Sequence, residues 1–221
     1  MLEAVVKAAT GTLRSFVKNA AFIVATALSS AAGAQNLLSN GGFESPALPV
    51  GGYTTSPFVD GWSFSAGSGV ISAIDWSDWW GAGVNKPAGA QGNQFGYLQG
   101  VGSISQTFSV ASAGVFSVTW IEASRLGAPA GDQTYSVQID AGTPVLFSTP
   151  SAQDFTARGL GTIALASGSH TLTMSGTILA DRTVYLDAVT VSAVPEPGAY
   201  AMMSVGLLLI GSVALRKRVR A

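Results

Sequence analysis

The chain has 221 residues, 48% of them hydrophobic and only 10% charged, with a formal net charge of −1 at pH 7. It contains no cysteine and one histidine, which excludes disulfides, thiolate chemistry and a Cys/His zinc site. Residues 35–194 hold ten acids against four bases, a net −6, so the middle of the chain offers no basic stripe for nucleic acid.

Residues 1–34 read as an export signal. Lys7, Arg14 and Lys18 form a basic leader, and Ala20 to Leu28 is an apolar segment of 9 residues. "SSAAGA" then places Ala32 and Ala34 at the two small positions of an A-x-A site. Cleavage is expected after Ala34, which leaves Gln35 as the new N-terminus.

Residues 35–193 form the body. Period-2 alternation recurs along it. "GVFSVTWIEA" sets Phe116, Val118 and Trp120 on one face against Ser117 and Thr119. "TYSVQID" repeats the pattern with Tyr135, Val137 and Ile139, and "HTLTMSG" alternates Leu172 and Met174 with threonines. "TVYLDAVTV" is apolar on both faces, which implies a strand covered on both sides. Turn signals at 111–114, 128–132, 140–144 and 166–169 separate these segments. No amphipathic helix pattern interrupts them. The expected class is all-β, a sandwich or barrel.

"DWSDWWG" packs Trp76, Trp79 and Trp80 beside Asp75 and Asp78. Tryptophan faces can stack on the C–H face of a sugar ring while carboxylates accept its hydroxyl protons. This stretch is therefore the candidate ligand site, with plugging of the end of the sandwich as the structural alternative. Signs of catalysis are thin. His170 stands at a turn entering a strand, and no G-x-S-x-G, P-loop or helix-opening G-x-G-x-x-G occurs. Carboxylate pairs for glycoside hydrolysis cannot be told from chance among ten acids.

The far end has three parts: "VPEP" (Val194, Pro195, Glu196, Pro197), an uncharged run from Ala199 to Leu215, and "RKRVR". The prolines lack amide hydrogens and bias their predecessors away from helix, so the tetrapeptide stays extended and accessible. As a helix, residues 199–215 would span about 26 Å of a ~30 Å hydrocarbon core. The basic tail should stay cytoplasmic, which leaves the body across the inner membrane, in the periplasm.

This order over residues 194–221 resembles the PEP-CTERM sorting signal of exopolysaccharide-producing Gram-negative bacteria. The resemblance implies processing by an exosortase, a membrane-embedded transpeptidase-like enzyme, and final placement at the cell surface or outside the cell. The body's landmarks are "NLLSNGGFESP", "VDGWSFSAGSGVISAI", "QGNQFGYLQG", "ISQTFSV", "ASGSHTLTMSG" and "VYLDAVTV". In that order they resemble galactose-binding-like jelly rolls, including choice-of-anchor domains and several carbohydrate-binding modules. That resemblance implies a jelly-roll β-sandwich of two antiparallel sheets, with its first and last segments close in space. It also suggests a structural calcium held by Glu44 of "GGFES" and Asp187 of "VYLDA"; no other cofactor is called for. The expected protein is non-enzymatic, structural or adhesive, within an exopolysaccharide-rich biofilm matrix. A lectin-like module is the alternative, and a glycan-cleaving enzyme ranks third.

Overall fold

A computed structural model describes residues 34–55, 60–72, 87–125, 131–194 and 206. The expected leader up to residue 33, the cluster Asp75, Trp76, Asp78, Trp79 and Trp80, the residues Pro195, Glu196 and Pro197, and the apolar run 199–215 apart from Gly206 lie outside the described residues. Among the described residues no helix is long and apolar enough to cross a membrane.

Among the described residues eleven strands make two antiparallel sheets. They are β1 (Tyr53–Thr55), β2 (Ser63–Phe64), β3 (Ser68–Ser72), β4 (Gln94–Gln99), β5 (Ser103–Val110), β6 (Gly114–Ser124), β7 (Gln133–Ile139), β8 (Val145–Thr149), β9 (Thr156–Leu165), β10 (Gly168–Gly176) and β11 (Thr183–Ala193). One sheet runs β1-β3-β4-β11-β6-β9 and the other β2-β5-β10-β7-β8. Only β3–β4 and β7–β8 are neighbours consecutive in the chain, because every other connection crosses from sheet to sheet. This is the jelly-roll sandwich the sequence led one to expect.

The alternation explains the core. Phe116, Val118 and Trp120 of β6 meet Tyr135 and Val137 of β7 and Leu172 and Met174 of β10 between the sheets. Ile104, Phe108 and Val110 of β5 complete that layer. A second cluster of Ile71, Phe95, Tyr97, Ala123 and Tyr185 lies on the opposite face of the six-stranded sheet, with Phe155 packed against it. Phe95 meets Phe155 and Tyr185 edge to face at 5.2 and 5.0 Å. The central strand β11 is therefore buried on both faces from Thr183 to Asp187, as its composition requires.

One end of the inter-sheet layer is polar. Glu122 follows Trp120 on the inward face of β6 and is fully buried. Its carboxylate receives Arg158 Nε at 2.8 Å, Gln153 Nε2 at 3.3 Å and the Tyr135 hydroxyl. Tyr135 in turn accepts Trp120 Nε1 at 2.8 Å. Burial first, and the nearby Glu122 carboxylate second, push the Tyr135 hydroxyl far above the ordinary phenol range, so it stays a donor. Every polar group in this chain of contacts has a partner, which is what makes it tolerable in a low-dielectric interior.

His170 serves the fold. Its Nδ1 lies 2.7 Å from Asp140 Oδ2 and its Nε2 lies 3.0 Å from the Ala166 carbonyl. Asp140 Oδ1 also accepts the Thr171 amide at 2.7 Å. Two acceptors facing the two ring nitrogens favour the doubly protonated ring, so the imidazole is shifted up, first through the Asp140 hydrogen bond. The pair ties the β7–β8 turn to the start of β10.

Candidate functional site

The first described segment and the last strand meet, and both sequence-predicted acids stand at the meeting point. Phe43 drives a buried ring between the sheets, 5.1 Å from Trp62, with its backbone in the left-handed region at φ 57°. Anchoring Phe43 fixes Glu44 beside it. On β11, three steps from Asp187 to Thr190 oppose two on β6 from Ile121 to Thr119, a bulge of one extra residue. Ala188 takes φ 50° there and its amide turns back onto Asp187 Oδ1 at 2.6 Å.

Gly42 lies between the two carboxylates. A Cβ at that position would sit 3.6 Å from Asp187 Oδ1 and 3.8 Å from Glu44 Cγ. The strand-entry segment 91–94 wraps both acids with backbone amides. Gln91 N donates to Asp187 Oδ2 at 2.8 Å, while Asn93 N and Gln94 N donate to Glu44 Oε1 at 2.8 and 2.9 Å. Gly92 makes the wrap possible: its φ is +74°, and a side chain there would collide with the Glu44 carboxylate. Gln94 locks the segment from below, donating to the Phe43 and Pro46 carbonyls and accepting the Leu48 amide.

The electrostatics are unbalanced. Asp187 is fully buried, and burial foremost pushes its carboxyl up to about 7, against the pull of the Gln91 and Ala188 amides and with a further push from Glu44. Among the described residues no basic side chain pairs with either acid; the ion pairs there join Arg125 to Asp181, Arg158 to Glu122 and His170 to Asp140. A hard cation with oxygen ligands fits such a cradle. Among the described residues no third acid or histidine joins the pair.

The segment before this cradle also binds β11. Asn36 Oδ1 accepts the Val191 amide at 2.9 Å, Asn36 Nδ2 donates to the Val189 carbonyl at 3.0 Å, and the Leu37 amide donates to the Val191 carbonyl at 2.7 Å. Val189 N reaches the Gly41 carbonyl at 2.9 Å. β4 pairs with β11 only as far as Leu186, so residues 36–41 take over as the neighbour beyond it. The end of β11 runs into the sorting motif: Ala193 pairs with Phe116, and the Val194 amide donates to the Val115 carbonyl at 2.8 Å.

The outer face of the five-stranded sheet has its own chemistry. Rows such as Ser63–Ser105–Thr173–Gln138 and Ser103–Ser175–Ser136 run across the strands in register. Thr107 and Thr171 share a hydrogen bond at 3.0 Å within the same array. Sequence alternation in "TYSVQID" and "HTLTMSG" marked Ser136, Gln138, Thr171 and Thr173 as outward-facing. Their alignment into uncharged hydroxyl rows depends on register, which alternation does not give.

Residues 193–218 match the PEP-CTERM protein-sorting motif. No curated protein is significantly similar to the chain. Among solved structures, the chain is similar to TmCBM61, a carbohydrate-binding module solved in complex with β-1,4-galactotriose. That similarity has a TM-score of 0.52 and 17% identity over 72% of this chain and 99% of that one. A family 35 carbohydrate-binding module from Clostridium thermocellum matches at TM-score 0.43 and 11% identity, over 65% of this chain and 98% of that one. The GH26-CBM35 β-(1,4)-mannanase of Podospora anserina matches at TM-score 0.43 and 18% identity, over 62% and 29%. The fold is the jelly roll of carbohydrate-binding modules, and the chain carries a PEP-CTERM sorting motif, which implies an exported protein processed by an exosortase.

Proposed function

We infer that the protein is a non-enzymatic adhesive or structural component of the cell envelope or extracellular matrix, delivered there by exosortase processing. The observation that carries this is the placement of the sorting motif directly on the last strand of the sandwich, so that the domain itself is the cargo. Before processing, residues 199–215 hold it in the inner membrane with the sandwich in the periplasm. Glu44 and Asp187 hold a calcium ion that ties the first segment to the last strand. The metal supplies positive charge where two carboxylates otherwise face each other. Melting the domain in calcium and then in EDTA checks this. Stability should rise by about 2.7 kcal/mol at a hundredfold excess of calcium over Kd, and Glu44→Ala should remove the response. Equal transitions with and without calcium would refute the site.

The second reading, a carbohydrate-binding module, is favoured by the uncharged hydroxyl rows on a domain that is otherwise acidic. A neutral polysaccharide suffers no repulsion there. Two surfaces compete for that role, the Trp76, Trp79 and Trp80 cluster with Asp75 and Asp78, and the Thr173 face. Affinity electrophoresis in neutral galactan or mannan separates them. Trp79→Ala or Trp80→Ala should abolish retardation with little change in Tm if the tryptophans bind, and Thr173→Lys should do so if the face binds. An unretarded wild type on every neutral glycan would leave the structural role alone standing.

A further inference from the structure

The sorting motif has no spacer. The matched region begins at residue 193, and Ala193 and Val194 are still hydrogen-bonded to β6. An extended peptide is recognised through its main-chain hydrogen bonds and alternate side chains, so an enzyme reading "VPEP" together with the residues just before it needs their main chain free. Here the residues on the N-terminal side belong to a sheet. They become available only when the end of β11 opens locally, and the rate of cutting then follows the population of the open form.

How far it opens is set on the other edge of the strand. Beyond Leu186, β11 no longer has β4 as a partner, and residues 36–41 replace it. Asn36 brackets Val189 and Val191 with its two side-chain atoms, and Leu37 adds a backbone bond to Val191. Among the described residues, past Val191 the strand is held by β6 alone, through Ser192, Ala193 and Val194. The Val115 carbonyl that accepts Val194 belongs to a half-exposed residue. Resistance to opening therefore steps down sharply after Val191.

We propose that Asn36 is a positioning residue for sorting: it clamps Val189 and Val191, confines opening to residues 192–194, and so sets the rate at which the processing enzyme obtains its motif. The first residues of the body thus regulate an event at its last residues. The same clamp keeps the sandwich closed while its tail is being handled. This inference rests on the reading of residues 193–218 as an exosortase substrate.

The test is a pulse–chase of the full chain in a host that carries the processing enzyme, following conversion of precursor to the shortened form. A six-residue Gly/Ser linker inserted between Ala193 and Val194 frees about 20 Å of extended chain and should speed conversion roughly tenfold, the equivalent of about 1.4 kcal/mol of opening. Asn36→Ala should speed the native-spaced chain several-fold. Asn36→Asp keeps the acceptor and loses the donor, and should fall between. In the linker chain, Asn36→Ala should add nothing. Equal or slower conversion with the linker would overturn the proposal. So would an Asn36→Ala acceleration that persists in the linker chain, because that would reflect general unfolding. If no chain is shortened, with or without the linker, the sorting reading fails and the clamp with it.

Discussion

Replacing Pro195, Glu196 and Pro197 together with alanine is expected to abolish processing and leave the full-length chain in the inner membrane. The physical basis is conformational. Two prolines fix φ, remove two amide donors and hold their predecessors out of the helical region. In the sequence they stand between a strand hydrogen-bonded as far as Val194 among the described residues and an apolar run suited to helix. Alanine favours helix more than any other residue, so the triple substitution allows the apolar run to extend its helix back toward Val194. The apolar length is unchanged, so membrane insertion should persist. Mass spectrometry of the envelope fraction checks the outcome. An intact "RKRVRA" terminus on mature wild-type protein, or a normally shortened variant, would contradict the reading.

Trp120→Ala is expected to cost about 3–5 kcal/mol of stability, as for other fully buried aromatic truncations. Trp120 is 2% exposed and lies edge to face with Phe147 at 4.9 Å and with Tyr135 at 6.3 Å. Its removal opens a void beside Glu122 and strips the Tyr135 hydroxyl of a donor while that hydroxyl must still serve the carboxylate. Trp120→Phe keeps most of the ring packing and loses the Nε1 hydrogen bond, worth about 1 kcal/mol net. Leu146→Ala, at a residue 70% exposed on edge strand β8, should stay within about 0.5 kcal/mol. Urea unfolding monitored by tryptophan fluorescence and circular dichroism ranks the three. A loss below about 1 kcal/mol for Trp120→Ala would show that this end of the sandwich is not well packed.

The legible part of the fold was the part in which one face of a strand is apolar and the other is not. Phe116, Val118 and Trp120 declared their strand, and Leu172 and Met174 declared theirs. β9 did not announce itself: "TARGLGTIAL" is an edge strand with two glycines, largely exposed, and its apolar residues keep no regular period. β8 was hidden for a related reason, since Val145 and Leu146 are both exposed. Glu44 and Asp187 were paired only through family resemblance, because nothing local in either segment points to the other. Asn36 and Gln94 stand inside the landmarks "NLLSNGGFESP" and "QGNQFGYLQG", but nothing local gives either a role. An amide side chain carries no charge or period, and its bracket on a distant backbone exists only after folding. Glu122 looked like one acid among ten, and burial alone separates it from the rest.

The one-residue excess in β11 has an evolutionary consequence. Since the bulge absorbs Ala188 without changing which face Val189 and Val191 occupy, a chain lacking that residue could still pair Thr190 with Thr119 and keep its interior. What it would lose is the amide aimed at Asp187 and the bend that places that carboxylate beside Glu44. Architecture and acidic cradle are therefore separable by a single codon. Descendants of one ancestral sandwich can discard the cradle, or regain it, without rebuilding the scaffold around it.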